Sequence, residues 1–350
     1  MVEASVTITA LTYNAHLFGQ TARFFVNGSL RETDFYFHDA ERVPQIGSSV
    51  LGTGADIVGL TEIWDDDTRE RLLRELSGRY PYAATSPSAP GIGRLLERTY
   101  EGWPRLAPRI DGAVGHFTRR HYSVAKTGLA TGLAEYLSPY LTEDRIGRAL
   151  SAILRSGPVW GAGLLFLSRY PIVSSLFLPH PVRADWEHLA GKGVLWSLVE
   201  LPNGSRVRVS LGHYQEGESA KAREARGNQI DKTRKALEFF ARPTLCLGDF
   251  NVIGGTPEYD SMLSSLGLAD SGKGPTYRDP NPYQEKLGAP RPERPQARQL
   301  DYILHGPEWT ALESSVPRDD FWSSEGGFHL SDHDPVLTRV RLDDTARRGS

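Results

Sequence analysis

The chain has 350 residues, 39% hydrophobic and 24% charged, which excludes a disordered chain and supplies enough apolar material for a large core. Its formal charge of −3 gives no global attraction to polyanions, so contact with nucleic acid or an anionic membrane would need a local basic patch. The single cysteine, Cys246, excludes an intramolecular disulfide, and its neighbours Leu245 and Leu247 mark it as a small core residue.

Residues Met1 to Thr9 carry an acid and alternate in β fashion at once, without the basic start and apolar run of a secretory signal. The expectation is a cytoplasmic chain, or a secreted one if a leader has been removed. Apolar, β-branched runs then recur: Val6 to Tyr13, Ala55 to Thr61, Gly163 to Leu167, Val194 to Glu200, Val207 to Leu211, Thr244 to Leu247, Gln299 to Leu304 and Val336 to Arg341. These read as strands. Apolar spacings of three and four predict helices over Asp67 to Leu76, Ala220 to Phe240 and Tyr259 to Leu266. Strands outnumbering interspersed helices imply two packed sheets flanked by helices.

Two regions break the rhythm. Residues 86 to 157 carry helical apolar spacing in their second half, from Leu129 through Leu133, Leu137, Leu141, Ile146, Leu150 and Leu154, interrupted by glycines and Pro139. Additional packing helices account for this pattern, with a lid or lipid-facing cap as the alternative. Residues 271 to 298, rich in Pro, Gly and Arg, read as a loop. The uncharged stretch Ser156 to Ser168 is too short and Gly-rich to span a bilayer as a helix.

The strand ends carry the chemistry. The first strand runs into Asn14 and the second into Glu62, an amide and a carboxylate of the kind a hard cation takes as oxygen ligands. Taken singly, Glu62 reads more often as a solvated strand-end acid and Asn14 as a turn residue. In Leu245-Cys246-Leu247-Gly248-Asp249-Phe250-Asn251, Gly248 permits a bend that aims Asp249 and Asn251 to one side. Leu330-Ser331-Asp332-His333-Asp334-Pro335 sets an imidazole between two acids, an arrangement suited to general-base work. Asp301 lies inside an apolar strand, where an unpaired carboxylate is costly and a histidine partner would offset the cost. His213 ends another strand and is a second candidate proton donor.

Asn14, Glu62, the Gly248-Asp249-Phe250-Asn251 run, Leu300-Asp301-Tyr302-Ile303 and Ser331-Asp332-His333-Asp334-Pro335 stand in the order, and near the separations, of the deoxyribonuclease I-like endonuclease/exonuclease/phosphatase superfamily, which the chain resembles. Within it the neutral sphingomyelinase C branch is most similar. Gly191-Lys192-Gly193-Val194, His213-Tyr214-Gln215, Asn228-Gln229, Glu258-Tyr259-Asp260-Ser261-Met262, Tyr80-Pro81-Tyr82 and Leu167-Ser168-Arg169-Tyr170-Pro171-Ile172 carry that likeness. The chain departs from the branch in lacking a cysteine pair, in having Tyr214 where a leucine or valine is expected, and in residues 86 to 157.

The resemblance implies an α+β fold, a four-layer α/β/β/α sandwich of two packed mixed β-sheets flanked by helices. It implies one catalytic domain over residues 1–342, with the inserted, partly helical segment at about 86–157, and a tail at 343–350. The implied activity is hydrolysis of a phosphodiester, as by a sphingomyelinase or phospholipase C, dependent on Mg²⁺ with Mn²⁺ or Ca²⁺ as alternatives. Asn14, Glu62, Asp249, Asn251 and Asp332 would serve the metal; His213, Asp249, Asn251, Asp301 and His333 the chemistry; and Lys192, Tyr214 and Gln215 the substrate. The substrate would be a phosphate-ester small molecule or lipid head group, with peripheral membrane contact through residues 86–157. A nuclease and a sugar or inositol phosphate phosphatase are alternatives within the superfamily, nucleic acid being less favoured by the charge. A non-catalytic membrane- or protein-binding module is the alternative from another class.

Overall fold

The computed structural model describes residues 5–17, 39–64, 66–88, 161–184, 187, 190–239, 243–272, 274–286 and 296–343. The expected segment at 86–157 lies outside them except for its first three residues, as does all but the first residue of the tail.

The strands in chain order are β1 (Val6–Leu17), β2 (Ile57–Ile63), β3 (Tyr82–Thr85), β4 (Leu165–Ser168), β5 (Ile172–Pro179), β6 (Gly193–Glu200), β7 (Arg206–His213), β8 (Thr244–Asp249), β9 (Ala269–Asp270), β10 (Tyr277–Asp279), β11 (Gln296–Arg298), β12 (Asp301–His305), β13 (Trp309–Ser315), β14 (Trp322–Ser323), β15 (Phe328–His329) and β16 (Val336–Leu342). The α-helices among the described residues are α1 (Asp39–Gly52), α2 (Asp66–Leu76), α3 (Ala220–Phe239), α4 (Pro257–Leu266) and α5 (Pro282–Lys286). One six-stranded sheet has the order β13-β16-β1-β2-β4-β3 and the other β5-β6-β7-β8-β12-β9. Each holds one parallel pair, β1 with β2 and β7 with β8, joined through a helical crossover and flanked by antiparallel strands.

Side-chain alternation decides the layers. Ile8 and Ala10 of β1, Ile57 of β2, Val207, Val209 and Leu211 of β7, Leu245 and Leu247 of β8 and Ile303 of β12 meet in the core between the sheets. Their out-of-phase neighbours Leu11, Tyr13, Val58 and Leu60 pack beneath α1 and α2. On the other side Cys246, Tyr302 and Leu304 pack with Ile230 of α3 and Met262 and Leu266 of α4. The fold is therefore α+β with four layers, two mixed sheets flanked by helices. No helix among the described residues is long and apolar enough to cross a membrane.

Several elements had no counterpart in the sequence reading. Helix α1 buries Val43, Ile46 and Val50 on one stripe, but Pro44 inside it masked the periodicity. Strands β5 and β13 are edge strands with mostly exposed side chains, so they show no apolar run. The region expected to be a loop over 271–298 contains the β10–β11 ribbon, paired at three positions from Tyr277↔Arg298 to Asp279↔Gln296, and α5, whose first residue is Pro282. Proline is tolerated in a first helical turn, where its missing N–H has no partner to lose.

Candidate active site

The rows of inward-facing side chains run out of hydrocarbon at one end of the sandwich and continue in polar groups. In β1 the row Ile8, Ala10 reaches Asn14; in β7, Val209 and Leu211 reach His213; in β8, Leu245 and Leu247 reach Asp249; in β12, Ile303 is followed inward by Asp301. Register aligns them, since His213 stands beside Asp249 across the parallel pair and Asp249 beside Asp301 across the antiparallel one. Gly248 is needed for this approach. Its φ is 136°, and a Cβ there would sit 1.9 Å from the carbonyl oxygen of Gly212.

Two groups of potential ligands result, Glu62 with His213 and Asp249, and Asp249 with Asp301 and His333, the ligand atoms within each lying within 4.8 Å of one another. Asp249 belongs to both. The Asn14 Nδ2 donates to Glu62 Oε1 at 3.0 Å and to Asp249 Oδ2 at 3.1 Å, tying the two carboxylates together, while its Oδ1 accepts the backbone N–H of His16 at 3.1 Å. In this arrangement the Asn14 amide draws the two carboxylates together. His213 Nε2 faces Glu62 Oε1 at 3.5 Å and Asp249 Oδ2 at 3.7 Å, yet both its ring nitrogens are buried without a hydrogen-bond partner among the described residues.

His333 donates from Nδ1 to Asp301 Oδ2 at 2.7 Å, which resolves the cost of a carboxylate inside an apolar strand. Asn251 donates from Nδ2 to the carbonyl of Tyr214 at 3.1 Å, and its N–H donates to Asp249 Oδ1 at 2.9 Å. Asp332 joins neither ligand group; its Oδ2 faces His16 Nε2 at 3.9 Å and its Oδ1 accepts from Ser331 Oγ at 3.2 Å. The non-glycine residues with positive φ among the described residues are His16, Glu62 and Asn251, all at this end of the sandwich. Such backbone costs energy and persists where the surroundings over-determine it. At Glu62 it also breaks the alternation, turning to the site a side chain that strand parity assigns to the helical face.

Electrostatics separate the two imidazoles. Burial pushes His213 well below its ordinary value, with Lys192, His333 and His180 adding repulsion. Burial acts against charge on His333 too, but Asp301, Asp332 and Asp249 overcome it and hold the group well above its ordinary value. Asp249 is pushed up to about 8, first by burial and then by Asp301. Oxygen donors, an imidazole lacking a partner and an excess of buried negative charge together fit a hard divalent cation.

Lys192, Tyr214 and Gln215, the residues expected to meet the substrate, are buried and engaged with protein partners. The Tyr214 ring lies in the helical layer, stacked on Phe250 with its hydroxyl bonded to Thr233. Gln215 accepts from Ala184 N at 2.7 Å and donates to the Glu216 carbonyl at 3.0 Å. Lys192 pairs with buried Glu187 and donates to the Tyr214 carbonyl at 3.2 Å, so it shares with Asn251 the same acceptor. Gln229 and Arg226 of α3 hold this loop, accepting from Gln215 N at 2.8 Å and donating to the Gln215 carbonyl at 2.7 Å. Arg226 also pairs with Glu258 through two nitrogens.

Sequence reasoning missed His16, Trp64, Arg42 and Tyr283 around this end. Trp64 Nε1 donates to Glu62 Oε2 at 3.4 Å. Arg42 is fully buried, and an arginine at the inward stripe position one residue before Val43 was the available signal.

The profile of the Endonuclease/Exonuclease/phosphatase family matches residues 11–333. Sphingomyelinase C 2 of Leptospira interrogans is 24% identical over 328 residues, covering 87% of this chain and 43% of that protein. A phospholipase C of Staphylococcus aureus is 22% identical over 275 residues, covering 75% of this chain and 66% of that protein. The chain thus spans less than two thirds of the length of these relatives. Among solved structures, sphingomyelinase C from Streptomyces griseocarneus matches with a TM-score of 0.58 at 21% identity, covering 95% of this chain and 99% of that one. Beta toxin from Staphylococcus aureus, solved with bound magnesium ions, matches at 0.58 and 17%, covering 97% and 100%. These likenesses agree with the two-sheet architecture, and a family profile running from β1 to the Ser-Asp-His segment takes in both sheets and every candidate site residue: the chain belongs to the endonuclease/exonuclease/phosphatase family.

Proposed function

We propose that this protein is a divalent-cation-dependent phosphodiesterase that transfers a phosphoryl-linked group to water, with a lipid head-group diester as its substrate class. Membership of the family supports phosphoester hydrolysis. The observation that carries the reading is the position of Asp249 in both ligand groups, between a carboxylate-rich side and a His–Asp pair. The sphingomyelinase C and phospholipase C relatives support the diester and the lipid head group.

Glu62 and Asp249, with His213 beside them, would hold the cation, and Asn14 keeps the two carboxylates converged. When bound, the cation supplies positive charge against the phosphate oxygens as negative charge develops in the transition state. Asp249 accepts a proton from the attacking water as its oxygen bonds to phosphorus. The bond from phosphorus to the leaving oxygen breaks, and that oxygen takes a proton from His333, whose charge Asp301 sustains. His213, neutral, presents a ring N–H to a non-bridging oxygen, and Asn251 is held beside it by the Tyr214 carbonyl. One charged and one neutral imidazole divide the labour that sequence left open between them.

The test is a panel of bis(p-nitrophenyl) phosphate, p-nitrophenyl phosphate, single-stranded DNA and sphingomyelin vesicles, each with Mg²⁺, Mn²⁺, Ca²⁺ or EDTA. Diester cleavage that EDTA abolishes is expected, with vesicles preferred over DNA. Full activity in EDTA, or release of phosphate from the monoester alone, refutes the proposal.

A further inference from the structure

Beyond the groups already described, a third imidazole stands at the mouth of the site. His16 follows Asn14 by two residues and has a φ of 48°, a left-handed conformation that a residue with a side chain rarely adopts. Its backbone is held from both ends. Its N–H donates to Asn14 Oδ1 at 3.1 Å, and its carbonyl accepts from Arg42 Nη2 at 2.6 Å. Its ring is held as well, Nδ1 sharing a hydrogen bond with the Tyr283 hydroxyl at 3.2 Å and the two rings standing nearly perpendicular at 5.5 Å. Nε2 is directed toward Asp332 Oδ2 at 3.9 Å, and the His16 side chain keeps 18% of its surface exposed.

The fully buried Arg42 sets this geometry. Its Nη1 donates to the carbonyls of Ala15 at 3.0 Å and Leu330 at 2.7 Å, its Nη2 to Asp39 Oδ1 at 2.5 Å, and its guanidinium lies 4.5 Å over the Tyr283 ring. One side chain thus ties together the end of β1, the segment that carries Asp332 and His333, and the aromatic ring that steadies His16. Burying a guanidinium is costly unless it is paired and bonded throughout, as it is here. A strained, partly exposed imidazole held through its backbone and its ring differs from a surface histidine left to rotate.

Resting on the phosphodiesterase reading above, we propose that His16 contacts the substrate, donating from Nε2 to an oxygen of the bound phosphodiester at the mouth, and that Arg42 is its positioning residue. The ring adjoins Asp332, itself next to His333, and its orientation is set before any ligand arrives. Preorganised donors of this kind need no rearrangement when charge develops.

The experiment compares wild type with His16→Ala, His16→Gly and Asp249→Asn. It reads kcat/KM on bis(p-nitrophenyl) phosphate with saturating Mg²⁺, the affinity for Mn²⁺, and the Tm. Expected are a fall in kcat/KM of tenfold or more in both His16 variants, unchanged Mn²⁺ affinity, and a Tm for His16→Gly at or above wild type, because glycine accepts the left-handed backbone. A kcat/KM within threefold of wild type while Asp249→Asn is inactive overturns the His16 proposal and leaves the phosphodiesterase reading standing. A loss that tracks a lower Tm or weaker Mn²⁺ binding also overturns it, since His16 would then be structural. A wild type inactive on every phosphoester overturns the function, and a second measurement still decides on His16: inorganic phosphate titrated into the Mg²⁺-loaded protein should move the His16 ring 15N resonances and bind at least tenfold more weakly to His16→Ala. Unmoved resonances overturn the proposal. For Arg42→Lys, retention of the fold with a KM-weighted loss like that of His16→Ala supports the positioning role; wild-type KM overturns it.

Discussion

Replacing Asp301 by asparagine removes a charge and almost nothing else, so it isolates what the carboxylate does for His333. The two groups lie 2.7 Å apart with both side chains buried. At an effective dielectric of about 20, unit charges at that distance attract by about 6 kcal/mol, part of which the burial of both groups offsets. Breaking one partner of such a pair costs about 3–5 kcal/mol, and at about 2 °C per kcal/mol for a chain of this length Asp301→Asn should lower Tm by about 6–10 °C. The sign of its pH dependence is fixed. In the wild type His333 is held above its ordinary value, so its contribution is complete below the unfolded value of about 6.5 and is lost as pH rises through the folded one. Without Asp301, burial, which disfavours the charged ring, is opposed by Asp332 and Asp249 alone, so the variant holds the charged form less firmly and gains less stability as pH falls. The difference in Tm between the two proteins, measured by calorimetry in EDTA, should therefore widen from pH 9 to pH 5.5. On bis(p-nitrophenyl) phosphate, kcat at pH 7 should fall about 10³-fold, since the ring that protonates the leaving oxygen holds its charged form less firmly. A Tm difference constant across that range, or a kcat within tenfold of wild type, refutes the assignment of His333 as a charged donor.

Other outcomes follow from the same geometry. With Asp249 pushed up to about 8, the apo protein should lose stability as pH rises from the unfolded carboxylate value of about 4 through 8, and Mn²⁺ or Mg²⁺ should raise Tm more at pH 8.5 than at pH 5.5; an equal gain at both would count against Asp249 as a ligand. Glu62→Gln should weaken Mn²⁺ binding, read by calorimetric titration, by tenfold or more while leaving the His333–Asp301 pair and the apo Tm within about 2 °C of wild type. Gly248→Ala should fail to accumulate as soluble protein or lose about 4 kcal/mol or more in urea unfolding, because the added carbon would meet the Gly212 carbonyl of the paired strand at 1.9 Å. Cys246 in the native protein should resist a thiol reagent that labels it in urea, as burial pushes the thiol up to about 12.

Much of this architecture is readable in a single sequence because a strand between two apolar layers must be apolar on both faces, as β2, β8 and β12 are, while β16 shows itself by alternation of buried and exposed positions. Edge strands β5 and β13 face water and show neither pattern. Helix α1 hides behind Pro44, and the β10–β11 ribbon and α5 hide in a Pro-rich stretch whose composition speaks for loops.

The site divides along the same line. Asn14, His213, Asp249 and Asp301 each lie two residues beyond an inward-facing position of an apolar run or strand, so alternation alone aims them into one space. What the chain order cannot contain is distance: that Asp249 is shared by two ligand groups, that Asp301 rather than another acid meets His333, that Asn14 bridges carboxylates through its nitrogen, and that Asp332 turns toward His16. Tyr214 shows the limit most plainly, since it follows His213 in sequence while its own ring stacks on Phe250 and its hydroxyl meets Thr233 in the helical layer. Composition and two-residue periodicity determine which faces are buried, because those depend on local geometry. Partners across 235 residues, as between Asn14 and Asp249, and charges set by burial exist only once the two sheets have closed on each other.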